Sequence, residues 1–215
     1  MMHTSSFMPT ETTATVFLVD DDASVRAAVQ DLLESVGLNV HGFAATADFV
    51  QHWQVQPVKG PACLVLDIRM PGQSGLDFQK TMAQWNMHLP VIFVTGHGDV
   101  PMSVQAMKHG ALEFLTKPFR EQDLLDAIQQ AIGVDQVRRV QTDALQALKS
   151  MWAQLSAGEQ AVVRGVVAGQ LNKQIAADLG VSEVTVKVRR GQAMRKLQIR
   201  SVAELVRLLD RLDGA

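Results

Sequence analysis

Short apolar runs alternate with amphipathic segments over the first 133 residues of the chain. Between the runs, apolar residues recur at helical spacing, and Val25, Val29, Leu32 and Val36 would line one face of a first helix. Strands and helices that alternate five times predict a parallel sheet covered by helices on both faces. The five runs that predict buried strands are Val16–Val19, Leu38–Phe43, Cys63–Leu66, Val91–Val94 and Ala111–Leu115.

Proline and glycine mark where two of the later helices begin and end. The segment 101–110 opens with Pro101 and closes with Gly110, which is typical of a helix start and stop. The amphipathic segment 120–133 also ends on a glycine, Gly133, and we expect its helix to end there. Asp22, directly before the first helix, is expected to cap it.

Beyond Gly133 the patterns are helical only. Apolar residues three or four apart predict a helical connector whose apolar seam packs against its own domains; they are Val137, Val140, Ala144, Leu148, Met151 and Leu155. We therefore expect four parts along the chain: a disordered tail at 1–13, an α/β domain at 14–133, a helical linker at 134–152 and an all-α domain at 153–215.

Charge distinguishes the two predicted domains. Residues 1–149 carry 10 Lys and Arg against 16 Asp and Glu, whereas residues 150–215 carry 10 against 6. A basic second domain beside an acidic first one suggests nucleic acid as the partner of the second. The sequence shows no signal peptide and no apolar stretch long enough to span a membrane, and its one cysteine, Cys63, is expected in the core. These features predict a cytoplasmic protein with no membrane partner.

Polar residues follow the ends of the predicted strands. Asp20 and Asp21 follow the first, Asp67 the third, Thr95 the fourth and Lys117 the fifth. The carboxyl ends of parallel strands share one edge of a sheet, where ligand sites form. Three carboxylates there suit Mg²⁺, and one of them can act as a nucleophile toward a phosphoryl group. A lysine that reaches in from two strands away would stabilise the charge of that group.

Four motifs in order resemble the receiver domain of two-component response regulators: "VDDD" at 19–22, "LDIRMPGQSG" at 66–75, "VTGHGD" at 94–99 and "LTKPF" at 115–119. The resemblance implies a flavodoxin-like, doubly wound, five-stranded parallel sheet with strand order 2-1-3-4-5. It also implies the roles of the site residues. Asp67 would accept the phosphoryl group, which Lys117 contacts, and Asp21, Asp67 and the backbone carbonyl of Arg69 would bind Mg²⁺ with Asp20 nearby. Thr95 and Phe114 would form the switch pair, and the Lys117–Pro118 bond would be cis.

The basic domain carries a helix-turn-helix pattern at 172–199. Ile175, Ala176 and Leu179 form the apolar face of its first helix, Gly180 ends that helix, and Ser182 would cap the next. An inward stripe of Val186, Ala193 and Leu197 continues through the second helix. Its other face carries Lys187, Arg190, Gln192 and Arg195.

Residues 150–212 resemble the LuxR-type four-helix output domain, and together with the receiver they resemble the FixJ/NarL type of response regulator. This resemblance implies that Lys187 and Val188 approach base edges. Thr185, Lys173 and Arg195 would contact phosphates. The chain departs from the usual pattern at Arg189, Gly191 and Gln192, so no base preference carries over.

These features predict a transcriptional regulator. A sensor histidine kinase would phosphorylate Asp67, the receiver would form a homodimer, and the second domain would bind promoter DNA and act on RNA polymerase. The receiver would catalyse only its own phosphorylation and dephosphorylation. One alternative is an aspartyl-phosphate phosphotransferase, although Arg69 stands where such enzymes place a second aspartate. Another is a receiver whose output domain binds protein or RNA.

Overall fold

The computed structural model describes residues 14–56, 58–96 and 99–214. The predicted tail at 1–13 lies outside the described residues. The chain divides into two compact units between Arg139 and Val140. None of the helices in the described part combines the length and the apolar character that a bilayer crossing requires.

The first unit contains a parallel sheet. Its described strands are β1 (Thr15–Val19), β2 (Asn39–Phe43), β3 (Ala62–Leu66), β4 (Val91–Thr95) and β5 (Glu113–Thr116). The strand order is β2-β1-β3-β4-β5, and all the paired strands are parallel. The predicted doubly wound, flavodoxin-like sheet is therefore confirmed.

Helices cover both faces of this sheet. They are α1 (Ala23–Ser35), α2 (Thr46–Val55), α3 (Gly75–Thr81), α4 (Val100–Lys108) and α5 (Glu121–Ala153), with a 3₁₀ turn at Met82–Trp85. Side chains alternate across each strand, so Phe17 and Val19 pack in one buried cluster while Val16 and Leu18 pack in another. Cys63 is fully buried in the second cluster, as predicted.

The ends of the fifth strand and of the first helix differ from the predictions. The fifth strand begins at Glu113 rather than Ala111, because the N–H of Ala111 donates to the carbonyl of Ala106 and closes the end of α4. Val36 is 53% exposed, because α1 ends at Ser35 and the chain then turns. Leu33 occupies the fully buried position of α1 instead.

Helix α5 corrects the prediction of a stop at Gly133, since it continues without a break to Ala153. A glycine ends a helix when it adopts a left-handed conformation, and Gly133 does not have a positive φ. The predicted packing of the connector is also wrong at two positions. Val137 is 59% exposed and Val140 is 64% exposed.

A buried carboxylate joins α5 to the start of β3. Asp135 is fully buried, and its Oδ2 accepts hydrogen bonds from the backbone N–H of Ala62 at 2.9 Å and from Nε of Arg139 at 2.6 Å. Its Oδ1 accepts from Nη2 of Arg138 at 2.6 Å. Arg139 also donates to the carbonyl of Val58 at 3.2 Å. This clamp holds α5 against the sheet, at the opposite end of β3 from Asp67.

The second unit is helical in its described residues. It contains the end of α5, then α6 (Ala157–Val167), α7 (Asn172–Leu179), α8 (Glu183–Lys196) and α9 (Val202–Asp213). A capping box begins α6: the N–H of Glu159 donates to Ser156 Oγ, and Glu159 Oε2 accepts from the N–H of Ser156. Lys196 Nζ at the end of α8 donates to the same Glu159 Oε2 at 2.7 Å, which ties two helices together.

Candidate functional site

The sheet topology brings three carboxylates to one edge. β1 and β3 are neighbours, with Val19 opposite Leu66, so Asp20 and Asp67 leave the sheet side by side. Asp20 and Asp67 are buried, whereas Asp21 is exposed. One carboxylate oxygen from each of the three lies within 4.8 Å of the others. The crowding predicted from the strand ends is therefore present.

Lys117 reaches into this cluster from β5. Its Nζ donates to Asp20 Oδ2 at 2.6 Å and to Asp67 Oδ2 at 3.1 Å. The lysine side chain is 19% exposed and the two aspartate side chains are 3% and 9% exposed, so both ion pairs are mostly shielded from water. The Lys117–Pro118 peptide bond is cis, as the resemblance implied.

Burial and ion pairing have opposite effects on the pKa values of Asp20 and Lys117. Burial raises the pKa of Asp20 above its ordinary value, although the hydrogen bond from Lys117 acts to lower it. Burial also acts to lower the pKa of Lys117, but its hydrogen bonds to Asp20 and Asp67 outweigh that effect and raise it. The raised pKa keeps the ammonium group of Lys117 charged, and two buried carboxylates share this one positive charge.

The carboxylate cluster fits a hard divalent cation. It offers oxygen atoms only, from one exposed and two buried carboxylates, and Mg²⁺ prefers such ligands while keeping several waters. A further cation beside Asp21 would also offset the repulsion between carboxylates, which is about 1 kcal/mol at 4 Å in water. Arg69 lies just beyond Asp67, and its backbone N–H donates to Asp67 Oδ1 at 3.1 Å.

The two predicted switch residues lie on β4 and β5. Thr95 is fully buried and follows the part of β4 that pairs with β3. Phe114 is half-buried, packs against the first buried cluster, and has its ring 6.5 Å from that of Phe93. Gly96, after Thr95, leaves open space, since an added Cβ would meet no heavy atom within 4 Å.

Two residues that position the pocket were missed from the sequence. A Cβ on Gly75 would lie 2.2 Å from the carbonyl oxygen of Asp67, so only glycine lets α3 begin this close to the aspartate. Arg26 of α1 donates through Nη1 to the carbonyl of Asp20 at 2.6 Å. Gly75 falls inside the "LDIRMPGQSG" motif, which was the available signal, whereas nothing in the spacing of Arg26 indicated its contact.

The second unit contains the predicted helix-turn-helix. Gly180 ends α7 with a φ of 63°, and Ser182 Oγ accepts from the N–H of Thr185 at 3.2 Å to cap α8. Val186, Ala193 and Leu197 are buried, as predicted. Arg189 turns toward α6, where a Cβ on Gly158 would come within 2.8 Å of its guanidinium.

The side chains predicted to contact DNA belong to α7 and α8. Lys173 on α7 is exposed, as are Lys187, Val188 and Arg195 on α8. Thr185 and Arg190 are half-buried. Val188 and Arg195 are seven residues apart, about two helical turns, so they share one side of α8, and Lys187 lies next to Val188 at the edge of that side.

Comparison with known proteins identifies both units. Residues 16–129 match the response regulator receiver domain family, and residues 153–209 match the luxR family of bacterial regulatory proteins. Nodulation protein W of Bradyrhizobium diazoefficiens is 48% identical over 94% of this chain and 87% of that protein. Response regulator protein TmoT of Ectopseudomonas mendocina is 43% identical over 93% and 90%. The solved structure of the response regulator StyR has a TM-score of 0.81 and 45% identity, and the match covers 93% of this chain and 99% of that one.

The matches therefore extend over nearly the whole chain, and the acidic pocket and the helix-turn-helix each lie within the family region that accounts for them. The chain belongs to the two-component response regulators, in which a receiver domain is joined to a LuxR-type DNA-binding domain and phosphorylation regulates transcription.

Proposed function

We propose that a sensor histidine kinase transfers a phosphoryl group to Asp67 and that the phosphorylated chain binds promoter DNA. The observation that carries this proposal is the contact of Lys117 with both Asp20 and Asp67 inside a cluster of three carboxylates. A lysine that contacts both buried carboxylates is placed to contact the phosphoryl group once Asp67 carries it as an acyl phosphate.

The transfer is a displacement at phosphorus. An Asp67 carboxylate oxygen forms the new P–O bond while the P–N bond to the kinase histidine breaks, and the electron pair of that bond stays on the histidine nitrogen. Asp20, Asp21, Asp67 and the backbone carbonyl of Arg69 are the residues that would hold Mg²⁺. When bound, Mg²⁺ supplies positive charge for the phosphoryl oxygens.

The remaining pocket residues respond to the new group. Phosphorylation adds about 1.5–2 negative charges and three strong acceptor oxygens. The ammonium group of Lys117 pairs with one of them, and the hydroxyl of Thr95 donates to another. Phe114 then moves inward as Thr95 is drawn toward the phosphoryl group. The chain performs no chemistry beyond its own phosphorylation and dephosphorylation.

The inward movement of Phe114 changes the neighbouring surface of α4, and this helix provides the surface for a homodimer. Val100, Val104 and Met107 are 75%, 46% and 47% exposed and recur at i, i+4 and i+7. Ala106, on the same helix, is fully buried and belongs to the core. Half-buried Met102 also packs against the core, so the exposed stripe is the part available to a second copy.

The dimer presents two LuxR-type domains to the two half-sites of a promoter, about 10 bp apart. Lys187 and Val188 approach base edges, while Lys173, Thr185, Arg190 and Arg195 contact phosphates. DNA-bound protein then acts on RNA polymerase in the cytoplasm.

Mass spectrometry of the intact chain tests the phosphoacceptor. Incubation with acetyl phosphate and Mg²⁺ should add one phosphoryl group to the wild type and none to Asp67→Asn. Asp77→Asn, an exposed aspartate of α3, should be phosphorylated like the wild type. Equal labelling of Asp67→Asn and wild type would show that the phosphoryl group is attached elsewhere.

A further inference from the structure

Helix α8 carries exposed valines in the middle of its outward face. Val184 is 69% exposed and Val188 is 51% exposed. At 3.6 residues per turn these two positions lie only about 40° apart around the helix axis. Gly191 continues the same line at i+7, so three positions along this face have no polar side-chain group.

Folding of the domain gives no reason for a glycine at 191. A Cβ added to Gly191 would meet no heavy atom within 4 Å, and its φ lies in the ordinary range. Glycine is among the poorest residues for a helix interior. A glycine that nothing inside the molecule requires is suited to the close approach of another surface. Arg195 donates through its Nε to the carbonyl of Gly191 at 3.3 Å, yet its side chain also stays more than 4 Å from the position of that added Cβ.

The charges around Val184, Val188 and Gly191 indicate what kind of partner binds to this face of α8. Lys187 flanks it on one side, Arg195 lies at its end, and residues 150–215 carry an excess of basic residues. The phosphates of duplex DNA complement such a surface. In the major groove the apolar feature of the base edges is the C5-methyl group of thymine, whereas the other groups there need hydrogen-bond partners that valine lacks.

We propose that Val184, Val188 and Gly191 form a thymine-reading stripe, in which the valines pack against thymine methyl groups and Gly191 lets the helix lie close to the base edges. The inference rests on the proposed DNA binding and specifies the base chemistry of each half-site. Val184 and Gly191 thereby join the residues that determine specificity.

Replacing thymine by uracil tests the stripe, because it removes only the methyl group and keeps base pairing. A random-sequence duplex library is first enriched on the phosphorylated full-length chain, and the recovered duplex is then synthesised with uracil at each thymine in turn. At one or two positions per half-site, the wild type should lose about fourfold in affinity per methyl group.

The valine variants show which side chains read the methyl groups. With Val184→Ala and Val188→Ala combined, uracil at those positions should cause little or no further loss. Val202→Ala removes an exposed valine at the start of α9 and should keep the full dependence on the methyl groups. Wild type that binds uracil and thymine duplexes equally at every position would overturn the inference.

Gly191→Ala tests the close approach separately. Its thermal stability should hold or rise because the added methyl meets open space, while its DNA affinity should fall about tenfold or more. Gly133→Ala, at a helical position that is also open, should leave DNA affinity unchanged. A Gly191→Ala chain that binds as tightly as wild type would exclude the close approach. A library that yields no enriched duplex would instead contradict the proposed DNA binding itself, and the inference with it.

Discussion

Asp21 is more exposed to solvent than the other two aspartates of the pocket, Asp20 and Asp67. It is exposed and has no ion pair with Lys117, whereas Asp20 and Asp67 are buried and share that lysine. Its carboxylate therefore adds repulsion to the pocket without the compensation that the other two receive. We interpret Asp21 as the carboxylate whose negative charge a bound cation would compensate most.

Asp21→Ala should weaken Mg²⁺ binding and leave the metal-free protein as stable as the wild type, or more stable by up to about 1 kcal/mol, because one repulsive charge is removed. Mg²⁺ titration and thermal unfolding in EDTA measure the two effects. Asp31→Ala, at an exposed position of α1, should change neither. A large loss of metal-free stability with unchanged Mg²⁺ affinity would show that Asp21 is structural.

A histidine pair beside β1 couples stability to pH. The rings of His41 and His52 lie 4.9 Å apart and contact Phe17. Burial, and then the charge of His41, lower the pKa of His52 below 6.5. The unfolded chain consequently binds a proton at a pH where the folded chain does not.

The stability that neutral His52 provides is present above pH 6.5 and is lost as the pH falls from there through the lowered pKa. Urea unfolding at pH 7.5 and at pH 5.5 should show a smaller loss of stability for His52→Gln than for the wild type. His88→Gln, at an exposed loop histidine, should behave like the wild type. An equal loss of stability for His52→Gln and wild type would show that His52 does not cause the pH dependence.

At the level of elements, the clamp on α5 depends on one carboxylate. Asp135 lies fully buried in a helix that would otherwise have only partial apolar burial beyond Gly133. It satisfies the N–H of Ala62 and binds two guanidinium groups that are 37% and 26% exposed. Burial, together with the smaller effect of the charge of Asp135, raises the pKa of Cys63 to about 12, which keeps that thiol protonated.

Asp135→Ala should destabilise the first unit by about 3 kcal/mol, because removing one partner of a buried ion pair leaves the others without compensation. Hydrogen exchange should become about 100-fold faster in β3 and in the part of α5 before Arg139, with little change in α6 to α9. Asp143→Ala, at an exposed position later in α5, should leave exchange in β3 unchanged. Unchanged protection of β3 in Asp135→Ala would show that the clamp does not hold the helix.

The sequence patterns predicted the strands and helices correctly where burial of apolar side chains alone determines the structure. Buried strands and their polar ends follow from continuous apolar runs, so Asp20, Asp67 and Lys117 could be placed at one edge before any coordinates. Ends of elements depend on which partner a backbone N–H finds, and the pattern did not show that Ala111 bonds back to Ala106. Asp135 was missed because a carboxylate near two arginines in a helix usually forms exposed i, i+3 and i, i+4 pairs, and only the tertiary contact with Ala62 buries this one.

At the scale of the whole molecule, an acidic receiver and a basic DNA-binding domain have different partners. One LuxR-type domain would make only the few phosphate contacts proposed above, and such contacts weaken steeply as salt increases. Two domains held in one dimer gain about 10²–10⁴ in affinity through effective concentration, without any new contact to DNA. In the proposed mechanism, phosphorylation controls transcription by controlling whether the stripe of Val100, Val104 and Met107 is paired with a second copy.

A variant of that stripe separates dimerisation from phosphorylation. Val104→Asp places a charge at a position that is 46% exposed, so it should leave folding and phosphorylation of Asp67 intact but prevent dimerisation. Sedimentation with acetyl phosphate should then show a monomer, and DNA affinity should stay at the unphosphorylated value. Val55→Asp, at an exposed valine that ends α2, should still form dimers. Dimerisation of Val104→Asp would exclude α4 as the interface.

The central claim is that a phosphoryl group on Asp67 raises DNA affinity by forming the dimer. Its most direct test measures DNA affinity by fluorescence anisotropy and mass by sedimentation, on the same full-length samples with and without acetyl phosphate and Mg²⁺. The account predicts that phosphorylated wild type becomes a dimer and binds its duplex about 10²–10⁴ times more tightly, while Asp67→Asn does neither. Phosphorylated wild type that gains this affinity as a monomer, or Asp67→Asn that gains it equally, would contradict the account.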